Sequence, residues 1–156
     1  HPEWIDFPRE GNGWSYKYAR RQWDLVDRAD LKYKYLGKFD EDIIHLVGST
    51  RNFQSTAVEK LWDKDDDQVL AFKRGNLVFV FNFNPVKSFD GYGILAPAGS
   101  YVPVLDSDRR IYGGYGNIDE TVRHFTMPDP LYDPHGIGWL KLYLPARTVQ
   151  VLRYKK

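Results

Sequence analysis

Short apolar segments separated by turn residues fill the sequence from residue 56 onward, and this spacing constrains the fold more than any other feature. The segment 76–83, NLVFVFNF, is the richest in Val and Phe and is the strongest strand candidate. Turn residues recur about every 8–12 positions, which is typical of an antiparallel sandwich or barrel. The pattern predicts eight strands, at residues 56–62, 68–73, 76–83, 92–95, 100–105, 122–127, 139–144 and 148–154.

The first 53 residues have a different, helical and loop-like character. Pro2 and Pro8 each bias the preceding residue toward extended geometry, so the opening dozen residues cannot form a helix. Yet this stretch carries Trp4, Ile5 and Phe7. Because a solvated tail rarely contains three large apolar residues, we expect the loop to pack against another part of the protein.

Three helices are expected after this loop. Ser15 is a candidate cap for a helix over residues 15–25. A second helix begins near Asp30 and continues through residue 39, weakened by Gly37, and a third covers residues 40–47. Each has one apolar face and no sheet to cover, which suggests a missing partner on the N-terminal side. Because strands and turns replace this helical pattern near residue 53, we place a boundary between residues 53 and 54.

Composition and charge narrow the functional classes. The 22 Lys and Arg against 21 Asp and Glu leave a net charge of +1, which favours neither nucleic acid nor a membrane surface as a partner. The chain has no Cys, so disulfides, thiol catalysis and Cys-ligated zinc are excluded, as fits a cytoplasmic protein. No stretch approaches the roughly 20 apolar residues that span a bilayer. The opening residue is His1 rather than Met, so we expect a processed or excised piece.

Two glycine- or acid-rich motifs fail as ligand sites. Residues 63–67, DKDDD, begin like a calcium loop, but Gln68 and Arg74 stand where glycine and a bidentate Glu are needed. We expect an acidic hairpin tip. Residues 113–116, GGYG, lack the spacing and the following helix of a phosphate-binding loop.

The titratable residues form no catalytic set. The four histidines are scattered, without metal-ligand spacing, at positions 1, 45, 124 and 135. Asp106 and Asp108 lie where a strand enters a turn, and we expect them to cap that turn. Asp6, in the aromatic loop, is the better candidate for touching a sugar. Glycoside chemistry needs two carboxyl groups flanking the bond, and no such pair is evident.

Several motifs resemble one family in the same order. The opening HPEWIDFPREGN, the run YKYARRQW at 16–23 and the run LKYKYLGKFDED at 31–42 are similar to glycogen (1,4-α-glucan) branching enzymes of the α-amylase superfamily. FVFNF at 79–83, LDSD at 105–108, YGG at 112–114 and PAR at 145–147 resemble that family's C-terminal domain. The segments 63–67 and 127–138 match no pattern of the family.

The resemblance implies a division of labour. Residues 1–53 would be the C-terminal end of a catalytic (β/α)8 barrel, and residues 54–156 an antiparallel β-sandwich, the all-β C-terminal domain. The family's catalytic carboxylates lie upstream on barrel strands, so none maps onto this chain, which alone is expected to be inactive. The family cleaves an α-1,4 linkage and transfers the released glucan to a 6-hydroxyl, without metal or organic cofactor. The implied partners are α-glucan, reached through a cytosolic parent enzyme, and the missing barrel.

Two surfaces are candidates for glucan contact. A segment just after the last barrel strand is a cleft loop, so His1, Trp4, Asp6 and Arg9 are predicted to line the glucan cleft, with Trp4 stacking on a ring. The alternative is that the loop only packs on the barrel rim.

A second hypothesis is a glucan-binding β-module. Its platform would be built from the aromatic faces of Tyr92, Tyr112, Tyr115 and Trp139. A self-contained hydrolase is disfavoured because no carboxylate set is evident.

Overall fold

The computed structural model describes residues 5–50 and 57–156. It contains one α-helix, α1, at Tyr33–Ser49, and eight strands. The strands are β1 at Val58–Lys64, β2 at Val69–Arg74, β3 at Leu77–Asn82, β4 at Phe89–Pro97, β5 at Ser100–Asp106, β6 at His124–Phe125, β7 at Ile137–Leu144 and β8 at Thr148–Lys155. Single 3-10 turns lie at Glu10–Asn12, Trp23–Leu25, Arg110–Tyr112 and Asp133–His135. Each strand overlaps a predicted segment, so the mainly β antiparallel architecture is confirmed.

The strands form two antiparallel sheets. One has the order β1-β2-β3-β8-β5-β6 and the other pairs β4 with β7. Strand β3 is paired on both edges, with Phe79 opposite Phe72 of β2 and opposite Val151 of β8. Because it is buried on both faces, β3 is a nearly continuous apolar run instead of an alternating one.

The main core fills the space between the two sheets. The six-stranded sheet contributes Val78 and Val80 of β3, which are 0% and 1% exposed, and Leu152 of β8. The two-stranded sheet contributes Ile94 and Leu140, both fully buried. Since successive strand residues alternate in direction, Leu77 and Phe79 then point to the opposite face of β3.

A second, smaller core lies on that opposite face. It is formed by Leu77, Phe79, Leu105 and Val151, and the side chains of Phe39, Ile43 and Leu46 on α1 pack against it. The order of layers is thus helix, six-stranded sheet and two-stranded sheet. The helix therefore covers part of one face of the larger sheet.

The expected helix at residues 15–25 is wrong. The structure has turns there, with a 3-10 turn only at Trp23–Leu25. Trp14 has a φ of 58°, and the Ser15 hydroxyl accepts the Lys17 N–H at 3.2 Å. Such a local side-chain bond stabilises a turn as readily as a helix start.

The two further helices form one. Gly37 and Asp40 both lie inside α1, which continues to Ser49. Gly37 has a packing reason to be glycine, because a Cβ there would lie 2.5 Å from Cγ2 of Val26. Close contact with the preceding turn therefore offsets the low helix propensity of glycine. The expected boundary between residues 53 and 54 falls outside the described residues.

Candidate functional site

The N-terminal loop ties together two of the four residues predicted to line a glucan cleft. His1 and Trp4 lie outside the described residues. Arg9 donates from Nε and Nη2 to the two carboxylate oxygens of Asp6, at 3.1 and 3.3 Å. Asn12 Nδ2 donates to the same carboxylate at 3.1 Å. The Arg9 bond, followed by the Asn12 bond, lowers the pKa of the Asp6 carboxyl.

Hydrogen bonds within the loop hold the side chains of Asp6, Arg9 and Asn12 together. The Asp6 side chain is 19% exposed and that of Arg9 63%. Asn12 closes the loop from the inside, since its Oδ1 accepts the Arg9 N–H at 3.0 Å and its Nδ2 also donates to the Phe7 carbonyl at 2.9 Å. The Arg9 guanidinium and the Phe7 ring are therefore exposed at the surface of the loop. The Asp6 carboxylate oxygens already accept hydrogen bonds from Arg9 and Asn12.

A buried carboxylate organises the loop at residues 106–117, after β5. Asp108 is 3% exposed and accepts the backbone N–H groups of Tyr115 and Asn117, at 3.0 and 2.6 Å. A Cβ at Gly114 would lie 2.2 Å from the Asp108 carbonyl oxygen, so this close turn requires glycine. The Asp108 N–H donates to Asp106 Oδ1 at 2.9 Å. The predicted turn-capping role of both aspartates is confirmed.

Asp106 is the second buried carboxylate of this loop. It is 2% exposed, and its Oδ2 has no hydrogen-bond partner within the described residues. Arg109 Nε lies 3.5 Å away and also holds Glu120. Burial, followed by the neighbouring Glu120, raises the pKa of the Asp106 carboxyl to about 6. A carboxylate enclosed by its own loop is not placed to flank a sugar linkage.

Tyr112 connects this loop to α1. Its hydroxyl donates to Asp42 Oδ2 at 2.6 Å, and its ring meets Phe39 edge-on with centroids 5.3 Å apart. Lys38 holds the other oxygen of Asp42 at 2.9 Å. Burial, followed by Asp42, raises the pKa of the Tyr112 hydroxyl. The polar end of Tyr112 is thus committed to the helix.

Tyr92 and Trp139 belong to an aromatic cluster on the other side of the six-stranded sheet. The Tyr92 hydroxyl accepts from Trp62 Nε1 at 3.3 Å and donates to Asp67 at 2.9 Å. Trp139 meets Trp62 edge-on at 5.7 Å and donates from Nε1 to Asp129 at 3.0 Å. Both rings are half-buried and their polar atoms are satisfied inside the protein.

The four aromatic residues predicted to form a glucan platform are therefore separated. Tyr92 packs against the core between the sheets, whereas Tyr112 packs against the core beneath α1. Tyr115 alone among the four is strongly exposed, at 75%. Asp42 and Asp67, the partners of Tyr112 and Tyr92, had no sequence signal because they are distant along the chain.

The acidic turn at residues 63–67 is confirmed as a hairpin tip between β1 and β2. Asp67 is half-buried; its carboxylate accepts a hydrogen bond from Tyr92 and one from Lys87, the latter at 3.4 Å. Within residues 5–50 and 57–156, no group of three or more His, Asp or Glu side chains could hold a metal ion. No helix in the same residues is long and apolar enough to cross a membrane.

Four shallow grooves join into one strip across α1 and the helix-side face of the large sheet. The first, of about 610 Å³, lies between α1 and the Tyr112 loop. It shares Leu36 with a groove of about 240 Å³ on the N-terminal segment, and Ser107 with a groove of about 320 Å³ beside Phe83 and Arg147. Phe83 also lines a fourth, of about 390 Å³, at the acidic hairpin tip. We call this strip the uncovered band.

Neither Phe83 nor Arg147 is among the site residues predicted from the sequence. Both lie inside motifs that carried the family resemblance, FVFNF and PAR, yet they come from separate hairpins. Their proximity depends on the pairing of β3 with β8, where Asn82 lies opposite Thr148. A positional signal existed only for Arg147, a non-glycine residue in a turn between two predicted strands.

The chain is similar in sequence to known proteins along nearly its whole length. Residues 62–155 match the family model described as the alpha amylase C-terminal all-beta domain. The chain is 47% identical over 131 residues to a chloroplastic/amyloplastic 1,4-alpha-glucan-branching enzyme of Oryza sativa subsp. japonica, covering 83% of this chain and 16% of the relative. Branching enzymes of Rhizophagus irregularis and Dictyostelium discoideum are each 40% identical, over 99% and 98% of this chain. The chain spans 22% of the length of each of these two relatives.

Proposed function

The chain belongs to the family of alpha-amylase C-terminal all-beta domains, and we propose that it works as the C-terminal part of a 1,4-α-glucan branching enzyme. Its role there is to dock onto and stabilise the catalytic barrel while supplying no catalytic carboxylate itself. The parent enzyme would transfer α-1,4-glucan segments to form α-1,6 branches in glycogen. The similarity to branching enzymes along nearly the whole chain supports this proposal.

The observation that carries the docking role is the two-sided character of α1. Phe39, Ile43 and Leu46 face the strands of residues 57–156, which we call the β-domain. At about 100° per residue, Leu36 and Ile44 lie farther around the helix, and they remain 60% and 65% exposed. The apolar arc from Leu46 to Ile44 thus spans roughly 160°, about one and a half times the width that one covered face needs. Such a helix fits between two bodies, of which the β-domain is one.

The segment before α1 repeats this feature. Within residues 5–50 no residue is buried, and six large apolar side chains that precede α1 are exposed: Ile5, Phe7, Trp14, Tyr16, Trp23 and Val26. Concentrated apolar exposure of this kind marks an interaction surface. The partner that fits is the catalytic part of the same enzyme, because the relatives are about four to six times longer than this chain.

Docking is tested by comparing Leu36→Ser in the chain alone and in a full-length branching enzyme that carries this chain. The substitution should hardly change the unfolding midpoint of the chain alone, because Leu36 is largely exposed there. It should lower the midpoint of the full-length enzyme by several degrees. Leu131→Ser is the matched control, since Leu131 is 69% exposed and lies outside the uncovered band. Equal effects of the two substitutions in the full-length enzyme would refute docking.

The N-terminal loop is proposed to line the glucan cleft of the parent enzyme. His1, Trp4, Asp6 and Arg9 are the residues concerned, and the described part of the loop supports a role for the exposed Arg9 guanidinium held by Asp6. Trp4→Ala in the full-length enzyme tests the loop. Branching kinetics equal to wild type would leave the loop with a packing role only.

A glucan-binding module is the second candidate function, and the 75% exposure of Tyr115 is the observation that favours it. Tyr92, Tyr112 and Trp139 have their polar atoms bound within the fold, so Tyr115 would be the main contact. Slower migration of the chain in a gel containing glycogen, abolished by Tyr115→Ala, is expected. Migration equal to that of a control protein would reject it.

We place the parent enzyme in the cytoplasm, as the absence of Cys suggests. The name of the rice relative assigns that protein to plastids, so subcellular fractionation is the decisive measurement.

A further inference from the structure

Arg147 occupies a backbone conformation that arginine rarely adopts. Its φ is 59°, in the left-handed region, within the turn that links β7 to β8. Glycine adopts this conformation without steric cost, and asparagine is the next most tolerant residue. The turn is fixed from both sides, since the Arg147 N–H donates to the Asn84 carbonyl at 3.1 Å and Asn82 Nδ2 donates to the Pro145 carbonyl at 3.0 Å. A side-chain contact is one way to offset the steric cost of this backbone conformation.

No contact within the described residues provides that offset. Arg147 is exposed, and its guanidinium makes no hydrogen bond, ion pair or ring contact with any described residue. Nearby side chains are already occupied, because the Thr148 hydroxyl donates to the Pro145 carbonyl at 2.7 Å and the Ser107 hydroxyl accepts the Val149 N–H at 2.9 Å.

The surroundings of Arg147 are an apolar groove open to the helix side. Phe81 and Val149 are half-buried beside it and pack against the core beneath α1. Phe83 stacks on Phe81 in parallel, with centroids 5.2 Å apart, and is still 58% exposed. The groove of about 320 Å³ thus combines a flat apolar wall with one unpaired positive charge at its rim.

We propose that Arg147 is an ion-pair anchor: an acidic side chain of the catalytic part of the enzyme enters the groove beside Phe83 and pairs with its guanidinium. This rests on the docking proposed above and assigns one contact to it. Continuity supports the assignment, because Ser107 joins this groove to the one along α1, and Leu36 joins that one to the exposed N-terminal segment. A guanidinium beside an apolar wall is well suited to a partly desolvated carboxylate.

The direction in which Arg147→Gly shifts the unfolding midpoint tests the ion-pair anchor. In the chain alone, Arg147→Gly should raise the unfolding midpoint by about 2–4 °C, because it relieves the left-handed strain. In a full-length enzyme that carries the chain, the same substitution should lower the midpoint by a comparable amount. The loss should shrink in 1 M salt, which screens ion pairs. Arg147→Lys should retain part of the wild-type stability in the full-length enzyme.

Lys141→Ala is the charge control, since Lys141 is an exposed cation on β7 of the opposite sheet. It should change neither midpoint. A higher midpoint for Arg147→Gly in both proteins would overturn the anchor and leave Arg147 as a turn residue. A lower midpoint in both would also overturn it, by showing a contact inside the chain.

Other occupants of the groove beside Arg147 would give different experimental results. Loss of glycogen-gel retention in Arg147→Gly would assign the groove to glucan, and loss of a dimer in sedimentation would assign it to a second copy of this chain; either overturns the proposal. If Leu36→Ser destabilises the full-length enzyme but Arg147→Gly does not, the anchor fails and docking stands. If neither does, docking itself fails.

Discussion

Residues 57–156 and residues 5–50 both carry many large apolar side chains, but only the first region buries them. Among the residues that the structure describes, the fifteen buried hydrophobic residues of the core all lie between Val69 and Leu152. The second region contains α1 and ordered turns, yet every one of its described residues retains solvent contact.

The two regions obtain their stability from different contacts. Strands of the β-domain bury apolar side chains on both faces of the large sheet, a dominant favourable contribution to folding. The N-terminal region depends on local hydrogen bonds, such as those from Arg9 and Asn12 to Asp6, and on one covered face of α1. Its remaining apolar surface is what a docking partner would use.

The largest expected effect separates two leucines. Leu152 is fully buried between the sheets, whereas Leu36 is 60% exposed on α1. Leu152→Ala should lower the free energy of unfolding of the chain by about 2–5 kcal/mol, because it removes buried methylenes and leaves a cavity. Leu36→Ala should change it by less than about 0.5 kcal/mol. Chemical denaturation monitored by circular dichroism measures both.

Similar losses of stability at the two leucines would contradict the difference in burial between the two regions. They would mean that the N-terminal region is already covered in the chain alone, for instance by self-association. Sedimentation at several protein concentrations distinguishes that case from a monomer.

Two carboxylates that organise loops give the next largest contrast. Asp108 is 3% exposed and accepts two backbone N–H groups. Asp108→Ala should lower the free energy of unfolding by about 2–3 kcal/mol, because both donors lose a buried charged partner. Asp6→Ala removes a comparable set of bonds in the N-terminal loop, but the global unfolding transition should not move, since that loop opens locally. Thermal unfolding of both variants tests this, and a large shift for Asp6→Ala would contradict it.

The strand positions of the β-domain were predictable because strand and turn signals are local in the sequence. Alternation and turn residues located all eight strands, and the Asx turn at Asp106 followed from residue type alone. The helix expected at residues 15–25 failed because its pattern was not supported by any packing surface in the fold. Gly37 was expected to weaken a helix that in the structure continues through it. The close approach of Val26 that favours glycine there is a tertiary contact, which the local sequence does not show.

The candidate surfaces were less predictable than the strands. Residue type cannot show that Tyr92 and Tyr112 lie on opposite sides of one sheet, or that both hydroxyls are bound to aspartates. The groove beside Arg147 likewise depends on the pairing of β3 with β8. Contacts between distant segments determine all of these features.

A pH effect of intermediate size is expected inside the β-domain. The pKa of Asp106 is raised to about 6 by burial and by Glu120, above an unfolded value of about 3.9. The stabilising effect of its protonation is therefore fully present below the unfolded pKa and is lost as pH rises through 6. Relative to Asp106→Asn, wild type should lose about 1 kcal/mol of stability between pH 5 and pH 7.5. His124, whose pKa is lowered by burial, is common to both proteins and cancels in the difference. A constant difference between the two proteins over this range would refute the effect.

A hydrogen bond between Tyr112 and Asp42 joins the β-domain to α1, and its loss should have the smallest effect. Tyr112→Phe removes the hydroxyl that donates to Asp42 at 2.6 Å but retains the ring contact with Phe39. Amide hydrogen exchange along α1 should accelerate several-fold, because the helix loses a hydrogen bond that anchors it to the β-domain. Exchange in β3 and β8 should not change, since their protection reflects global unfolding. Tyr115→Phe is the matched control, as Tyr115 is exposed and bonds to Asp108 only through its backbone. Equal acceleration in α1 and in β3 would show that the two regions unfold as one unit, and the contrast between them would then concern burial only and not stability.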